Sequence, residues 1–94
     1  MVQWIQAANQ RNFLLIVEDN IELNKHLVEI LSANYNVNSA LNGQQGFVLA
    51  KSIIPDLIIS DIIMPAMNGV DLLKIIRETE STSHIPFVLL TAKV

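Results

Sequence analysis

Near its start the sequence reads Phe13-Leu14-Leu15-Ile16-Val17-Glu18-Asp19, five apolar residues followed at once by two acids. A short aliphatic run without polar alternation is typical of a strand that is buried on both faces, as in parallel sheets. A second such run, Leu57-Ile58-Ile59-Ser60, ends at Asp61, and a third, Phe87-Val88-Leu89-Leu90, ends at Thr91. The sequence therefore predicts three buried strands, each with a polar residue where it stops.

The segments between these runs carry apolar residues three or four positions apart, which predicts helices. These residues are Leu23, Leu27, Ile30 and Leu31 in the first helix, Phe47, Ala50 and Ile54 in the second, and Val70, Leu73 and Ile76 in the third. Asn20 is the expected N-cap of the first helix, with Asn24 on a face away from the core, and Pro55 ends the second. Residues 35–39 alternate in polarity and predict a half-exposed strand near a sheet edge.

Strands that alternate with helices predict an α/β fold with a parallel sheet and right-handed crossovers. The carboxyl ends of all strands then lie at one edge, where Glu18, Asp19, Asp61 and Thr91 are expected. Carboxylates gathered there repel one another unless a proton or a cation neutralises them. Mg²⁺ binds oxygen ligands, commonly carboxylates together with phosphate oxygens, and a carboxylate can attack phosphorus when a metal offsets the charge. The pattern favours a divalent-metal site with Asp19 and Asp61 as candidate direct ligands, and it is compatible with phosphoryl chemistry.

Composition excludes several other classes of protein. The chain has 94 residues, a formal net charge of −3 and no cysteine. This length holds one small domain, and the lack of cysteine excludes disulfides, thiolate zinc sites and thiol catalysis. With 6 basic against 9 acidic residues, no broad basic field exists for direct nucleic-acid binding. The longest apolar run has five residues, so we expect no membrane insertion, and residues 1–12 are interpreted as a linker or lead-in.

The residues resemble the receiver domain of two-component response regulators. The matching pieces follow that family's order and spacing across residues 13–92, and they are Leu15-Ile16-Val17-Glu18-Asp19-Asn20, Pro55-Asp56-Leu57-Ile58-Ile59-Ser60-Asp61-Ile62-Ile63-Met64-Pro65, Met67-Asn68-Gly69 and Pro86-Phe87-Val88-Leu89-Leu90-Thr91-Ala92. The resemblance implies a flavodoxin-like, doubly wound parallel sheet of strand order 2-1-3-4-5. It also implies Mg²⁺-dependent transfer of a phosphoryl group from a kinase histidine to one aspartate.

The resemblance further implies a role for each site residue. Asp61 would be the phosphoacceptor, Asp19 would bind Mg²⁺ directly, and Glu18 would bind it mostly through water. The backbone carbonyl of Ile63 would be a further ligand, and the Thr91 hydroxyl would hydrogen-bond a phosphoryl oxygen. Such a domain is a phosphoryl acceptor rather than a turnover enzyme.

The family's fifth strand, its lysine and the flanking helices have no counterpart before Val94, and Lys93 follows the last apolar run too closely to be that lysine. Residues 13–94 are therefore interpreted as a partial receiver domain with strand order 2-1-3-4. Because a cationic stabiliser is lost, we expect weak Mg²⁺ binding and poor phosphorylation. We also expect a homodimer through the open edge of the fourth strand.

The expected phosphoryl donor is a histidine kinase or a histidine phosphotransfer domain, with an output domain in the same chain or in another. The pieces Val17-Glu18-Asp19-Asn20 and Ser83-His84-Ile85-Pro86 look like those of bacterial receivers embedded in hybrid sensor kinase/regulator proteins. These partners and a cytoplasmic location are implied by the resemblance and not by the composition.

Two other functions stay open. A pseudo-receiver that has lost phosphorylation would act through contacts alone. A Mg²⁺-dependent aspartyl phosphohydrolase of the haloacid dehalogenase type also uses a strand-end aspartate, but it places a second acid two residues later, where this sequence has Ile63. Among the remaining residues, Asp56 is expected at the opposite edge of the sheet and Asp71 in the first turn of the third helix. Pro65 and Gly69 are expected to shape the loop after Asp61, because proline fixes φ and glycine permits a positive φ.

Overall fold

The computed structural model describes residues 12–90 and contains four strands and three helices there. In chain order these are β1 (Phe13–Val17), α1 (Ile21–Leu31), β2 (Asn36–Ala40), α2 (Gly43–Ile53), β3 (Leu57–Asp61), α3 (Gly69–Glu78) and β4 (Phe87–Leu90). Each strand lies within one residue of its predicted bounds. The predicted lead-in, apart from Asn12, and the residues Thr91 and Lys93 lie outside the described range.

The four strands form one parallel sheet in the order β2-β1-β3-β4. Val17 is paired with Ala40 on one side and with Ser60 on the other, and Asp61 is paired with Leu90. This arrangement confirms the predicted α/β class and the flavodoxin-like strand order 2-1-3-4. Because the strands are parallel, the residues that follow β1 and β3 emerge at the same edge of the sheet.

Successive side chains of each strand point to opposite faces of the sheet, and β1 buries residues on both: Leu14 and Ile16 on one face, Leu15 and Val17 on the other. The main cluster of the core lies on the face of Leu15 and Val17. Helices α2 and α3 cover the face that carries Leu15 and Val17. The largest buried apolar residues of that core are Leu15, Val17, Ile58, Leu72, Ile76 and Ile85. Helix α1 contacts β1 and β2, and Leu31 of α1 lines a groove of about 300 Å³ with Leu14 and Leu57 on the opposite face.

Helix α1 begins at the predicted residue, but the face that it packs on the sheet includes Asn24 and excludes Ile30. Asn20 is its N-cap, since its Oδ1 accepts a hydrogen bond from the N–H of Leu23 at 2.9 Å. Leu27 is half-buried as expected, but Ile30 is 55% exposed and Asn24 is buried. The prediction that Asn24 faces away from the core is wrong, because its amide hydrogen-bonds two backbone carbonyls at the ends of β1 and β2.

The prediction that β4 is a buried strand is also wrong. Val88 is 43% exposed and the other three residues of the strand are half-buried. Within residues 12–90, β4 is the outermost strand and is paired with β3 alone. Pairing of two copies along this strand is not tested by the structure and stays a prediction.

Helix α2 ends at Ile53. The prediction that Ile54 belongs to the apolar face of this helix is therefore wrong. Ile54 has a left-handed φ of 44° and is 39% exposed, and the proline that follows disfavours helical conformation at this position. With 11 residues each, α1 and α2 are the longest helices of residues 12–90. No helix in that range has the length and apolar character that a bilayer crossing requires.

Matched truncations on the two faces of the sheet test where the core lies. Leu15→Ala removes a fully buried side chain from the face covered by α2 and α3, so we expect unfolding free energy to fall by about 2–5 kcal/mol. Leu57→Ala removes the same atoms from a half-buried position beside the groove, where we expect a loss of about 1 kcal/mol. Urea unfolding of both variants measures the difference, and equal losses would contradict this assignment of the core.

Candidate functional site

Three carboxylates meet at the carboxyl edge of the sheet. Glu18 and Asp19 directly follow β1, and Asp61 is the last residue of β3. One carboxylate oxygen from each residue lies within 4.8 Å of the other two. Glu18 and Asp61 are each 2% exposed and Asp19 is half-buried. The structure thus brings together three residues that the sequence singled out.

Glu18 is held through both its backbone and its side chain. Its N–H donates to the carbonyl of Ala40 at 3.1 Å, and its own carbonyl accepts from Nδ2 of Asn24 at 3.0 Å. Its Oε2 accepts a hydrogen bond from the N–H of Asn20 at 3.0 Å. The carboxylate therefore sits at the start of α1, where the partial positive charge of a helix N-terminus favours an anion.

Asp61 is held at the last rung of the sheet. Its carbonyl accepts from Oγ of Ser60 at 2.9 Å, and its Oδ1 accepts from the N–H of Ile63 at 3.4 Å. On the neighbouring strand, Leu90 is paired with Asp61 and accepts a hydrogen bond from the N–H of Ile62 at 3.2 Å. The backbone on both sides of Asp61 is thereby fixed by β4 and by the loop that follows β3.

The loop after Asp61 turns tightly. The N–H of Met67 donates to the carbonyl of Pro65 at 2.8 Å, and Ala66 between them has a φ of 67°. A hydrogen bond across three residues with a positive central φ is the rarer, strained form of γ-turn. The positive φ of this loop therefore lies at Ala66 and not at Gly69.

Gly69 lies too close to the end of β3 for a side chain to fit. No glycine in the described residues has a positive φ, so Gly69 does not use the left-handed conformation that glycine permits. A Cβ at this position would collide with the backbone carbonyl oxygen of Asp61 and would lie 2.9 Å from Cδ2 of Leu89. The N–H of Gly69 also donates to the carbonyl of Ile62 at 2.8 Å. Gly69 thus permits the first turn of α3 to pack directly against the backbone of the candidate phosphoacceptor.

Two other acids have structural roles that agree with the sequence analysis. Asp71 forms a capping box with Asn68: its N–H donates to Oδ1 of Asn68 at 2.8 Å, and its Oδ2 accepts from the N–H of Asn68 at 3.3 Å. Oδ2 of Asp56 accepts from the N–H of Phe13 at 2.8 Å. Since Phe13 is the first residue of β1, Asp56 lies at the opposite edge of the sheet from Glu18.

The donor set of the acidic cluster suits a hard divalent cation. Its three side chains offer oxygen alone, which Mg²⁺ and Ca²⁺ prefer, rather than the imidazole or thiolate groups that favour zinc. Two carboxylates whose oxygens lie within 4.8 Å of each other repel by about 1–3 kcal/mol at effective dielectric constants between those of water and a protein surface. A divalent cation among them replaces this repulsion by attraction, so the residues present fit such an ion.

Three residues complete the comparison with the sequence analysis. Thr91 lies outside the described residues. Ile63 contributes its N–H to Asp61, its side chain is 68% exposed, and the role of its carbonyl stays a prediction. Asn24 was missed, although its position relative to Asn20, Leu27 and Leu31 follows the i, i+4, i+7 spacing of a single helix face.

Replacing Gly69 by alanine separates two opposite effects. Helix propensity alone predicts that Gly69→Ala stabilises the fold by about 0.5–1 kcal/mol. The contact with the carbonyl of Asp61 predicts instead a loss of about 1–3 kcal/mol, because the loop or the strand must move. Chemical denaturation measures the sign. Val70→Ala, at a neighbouring residue that is 51% exposed, is the control, and a stabilised Gly69→Ala variant would contradict the close approach.

Comparison with known proteins places this site in a family. The family described as the response regulator receiver domain matches residues 14–94. Among curated proteins, the chain is 40% identical over 88 residues to the hybrid signal transduction histidine kinase D of Dictyostelium discoideum, and 44% identical over 87 residues to histidine kinase P4 of Formosa agariphila. These alignments cover 94% and 93% of this chain but 6% of each relative, so the chain spans about one sixteenth of the length of those proteins.

A solved structure supports the same assignment. The N-terminal domain of a response regulator receiver protein from Methanoculleus marisnigri JR1 is similar to this chain with a TM-score of 0.83 and 30% sequence identity. The match covers 87% of this chain and 68% of that one. With the strand order, the acidic edge and the family match in agreement, the chain belongs to the response regulator receiver domain family of two-component signalling.

Proposed function

We propose that this domain accepts a phosphoryl group on Asp61 and that Mg²⁺ assists the transfer. The observation that carries the proposal is the approach of one carboxylate oxygen each from Glu18, Asp19 and Asp61 to within 4.8 Å of one another. Family membership supports it, because receiver domains bind Mg²⁺ at an acidic pocket and pair with histidine kinases and output domains.

In the proposed reaction, a carboxylate oxygen of Asp61 attacks the phosphorus of a phosphohistidine. The O–P bond forms as the P–N bond breaks, and the electron pair of the P–N bond returns to the imidazole nitrogen of the donor. The hydrogen bonds around Ser60, Ile62 and Ile63 hold Asp61 in place during the attack, and such positioning lowers the barrier to transfer. Because Asp61 is 2% exposed, its environment also limits the access of bulk water.

The proposed cation would be held by this chain's own oxygens. Asp19 and Asp61 would bind Mg²⁺ directly, Glu18 mostly through water, and the carbonyl of Ile63 would be a further ligand. When bound, the ion offsets the charge of the carboxylates and of the phosphoryl oxygens. Thr91, which lies outside the described residues, is proposed to donate its hydroxyl hydrogen to a phosphoryl oxygen.

The proposed donor is a histidine kinase or a histidine phosphotransfer domain, and the proposed reader is an output domain in the same chain or in another. Two of the similar proteins are named as histidine kinases, one of them a hybrid. We therefore propose that the domain serves as the receiver of a two-component phosphorelay. It acts as an acceptor and not as a phosphohydrolase, since the position two residues after Asp61 carries the apolar and exposed side chain of Ile63 in place of a second acid.

Two matched charge removals test the acceptor site. Asp61→Asn and Asp56→Asn each neutralise one aspartate, at opposite edges of the same sheet. At a Mg²⁺ concentration ten times Kd, bound ion should stabilise the unaltered chain and Asp56→Asn by about 1.4 kcal/mol. Asp61→Asn should bind Mg²⁺ at least about tenfold more weakly, since it lacks a direct ligand. It should also lose the response to beryllofluoride, which mimics a phosphoryl group on a carboxylate.

Calorimetric Mg²⁺ titration, thermal unfolding and amide chemical shifts measure these effects. The proposal predicts that shifts in the unaltered chain concentrate at Asp19 and Asp61. It is wrong if the unaltered chain responds to neither Mg²⁺ nor beryllofluoride, or if Asp61→Asn and Asp56→Asn respond alike.

Crowding of the acids predicts an opposite effect on stability when no cation is added. Asp19→Asn removes one of three negative charges within 4.8 Å, so we expect unfolding free energy in chelator to rise by about 1 kcal/mol. At saturating Mg²⁺ the gain should vanish, because the variant has lost a ligand. Urea unfolding in chelator and in Mg²⁺ measures both values. Glu22→Gln, at an exposed residue in the first turn of α1, is the control, and an equal gain in this variant would contradict the explanation.

A further inference from the structure

Asn24 is a buried polar residue in the middle of α1. It is 4% exposed and lies on the same side of the helix as the half-buried Leu27 and Leu31. Burying an amide in such a position is unfavourable unless its hydrogen-bonding groups find partners. The contacts of the Asn24 side chain therefore indicate what the residue does.

Both contacts of its amide nitrogen are made to the strand ends beside the acids. Nδ2 of Asn24 donates to the carbonyl of Glu18 at 3.0 Å and to the carbonyl of Ala40 at 3.0 Å. The carbonyl of Ala40 also accepts from the N–H of Glu18 at 3.1 Å. Since Val17 and Ala40 are the last paired residues of β1 and β2, Asn24 extends the hydrogen bonding of the sheet by one step beyond its ladder.

This bonding determines the direction in which the acids leave the sheet. The carbonyl of Glu18 belongs to the same planar peptide unit as the N–H of Asp19. A hydrogen bond from Asn24 to that carbonyl therefore fixes the orientation of the peptide plane between Glu18 and Asp19. The N–H of Glu18 is held separately, by the carbonyl of Ala40. The side chain of Asn24 reaches this peptide from α1 and so couples the helix to the loop that carries both acids.

We infer that Asn24 is a positioning residue for the acidic cluster, which orients Glu18 and Asp19 toward Asp61 through the backbone of Glu18. The part of this inference that concerns Mg²⁺ affinity rests on the proposed function. Asn24 contributes no charge to the site. Its amide hydrogens are used on backbone carbonyls, so its effect on a bound cation is exerted through Glu18 and Asp19.

Thr82 offers a matched control for a buried donor with a structural role alone. It is fully buried, and its Oγ1 donates to the carbonyl of Ile76 at 2.8 Å, with the carbonyl of Thr79 a second, longer contact at 3.3 Å. It lies between α3 and the start of β4, at the amino edge of the sheet and away from the acids. Thr82→Val removes a buried donor, as Asn24→Leu does, without touching the β1–α1 loop.

The experiment compares Asn24→Leu, Asn24→Ser and Thr82→Val with the unaltered chain by two measurements. The first is amide hydrogen exchange without metal, read at Glu18 and Asn20 relative to core amides of α3. The second is the Kd for Mg²⁺ from calorimetric titration. We expect Asn24→Leu to speed exchange at Glu18 and Asn20 by at least about tenfold beyond the change at the core amides. We expect its Kd for Mg²⁺ to rise by about 10–100-fold, as is typical when a group that orients a metal ligand is lost.

Asn24→Ser keeps a short donor that can serve one carbonyl, so it should give intermediate values, and it replaces Asn24→Leu if that variant does not fold. Thr82→Val should leave both relative exchange and Kd within about twofold of the unaltered chain. The inference is overturned if, in the Asn24 variants, exchange at Glu18 and Asn20 changes by the same factor as exchange at the core amides. It is also overturned if Thr82→Val raises the Kd for Mg²⁺ as much as the Asn24 variants do. If the unaltered chain binds no Mg²⁺, the proposed function fails, while the exchange measurement still decides whether Asn24 positions Glu18.

Discussion

Parallel pairing of β1 with β3 places two buried acids on neighbouring strands, and the architecture of the site depends on this pairing. Val17 is paired with Ser60, so Glu18, which directly follows β1, lies beside Asp61, the last residue of β3. A parallel sheet brings the carboxyl ends of its strands to one edge whatever the sequence there. In this chain that edge receives three carboxylates within 4.8 Å of one another. Their mutual repulsion is an electrostatic cost that a bound divalent cation would reverse.

Neutral backbone groups hold the acids in place. Glu18 accepts a hydrogen bond from the N–H of Asn20, and Asp61 accepts one from the N–H of Ile63. Both donors belong to the loops that leave β1 and β3, so the direction of each loop and the orientation of each carboxylate are set together. These contacts orient the carboxylates without adding a charge that would compete with a cation for them.

The α/β class and the strand order could be predicted because the signals that determine them are local. The run of apolar residues in β1 and the helical spacing after Asn20 each lie within about a dozen residues of sequence. Right-handed crossovers then restrict how such strands can be arranged. The exposure of β4 was not predictable in this way, because an apolar run does not report how many neighbours its strand has. Val88 is apolar, and yet it is 43% exposed at the outer strand of the described sheet.

The sequence by itself determined the alternation of elements, the parallel sheet and the presence of Glu18, Asp19 and Asp61 at strand ends, since periodicity and position along a strand are read from neighbouring residues. The tertiary structure decided which helical face is inward and which backbone groups meet across the fold. Asn24 is buried because the carbonyls of Glu18 and Ala40 lie within reach of its amide. Gly69 is required because α3 packs against the carbonyl of Asp61. Both contacts join residues whose proximity depends on the packing of helices onto the sheet, and residue spacing alone does not determine that packing.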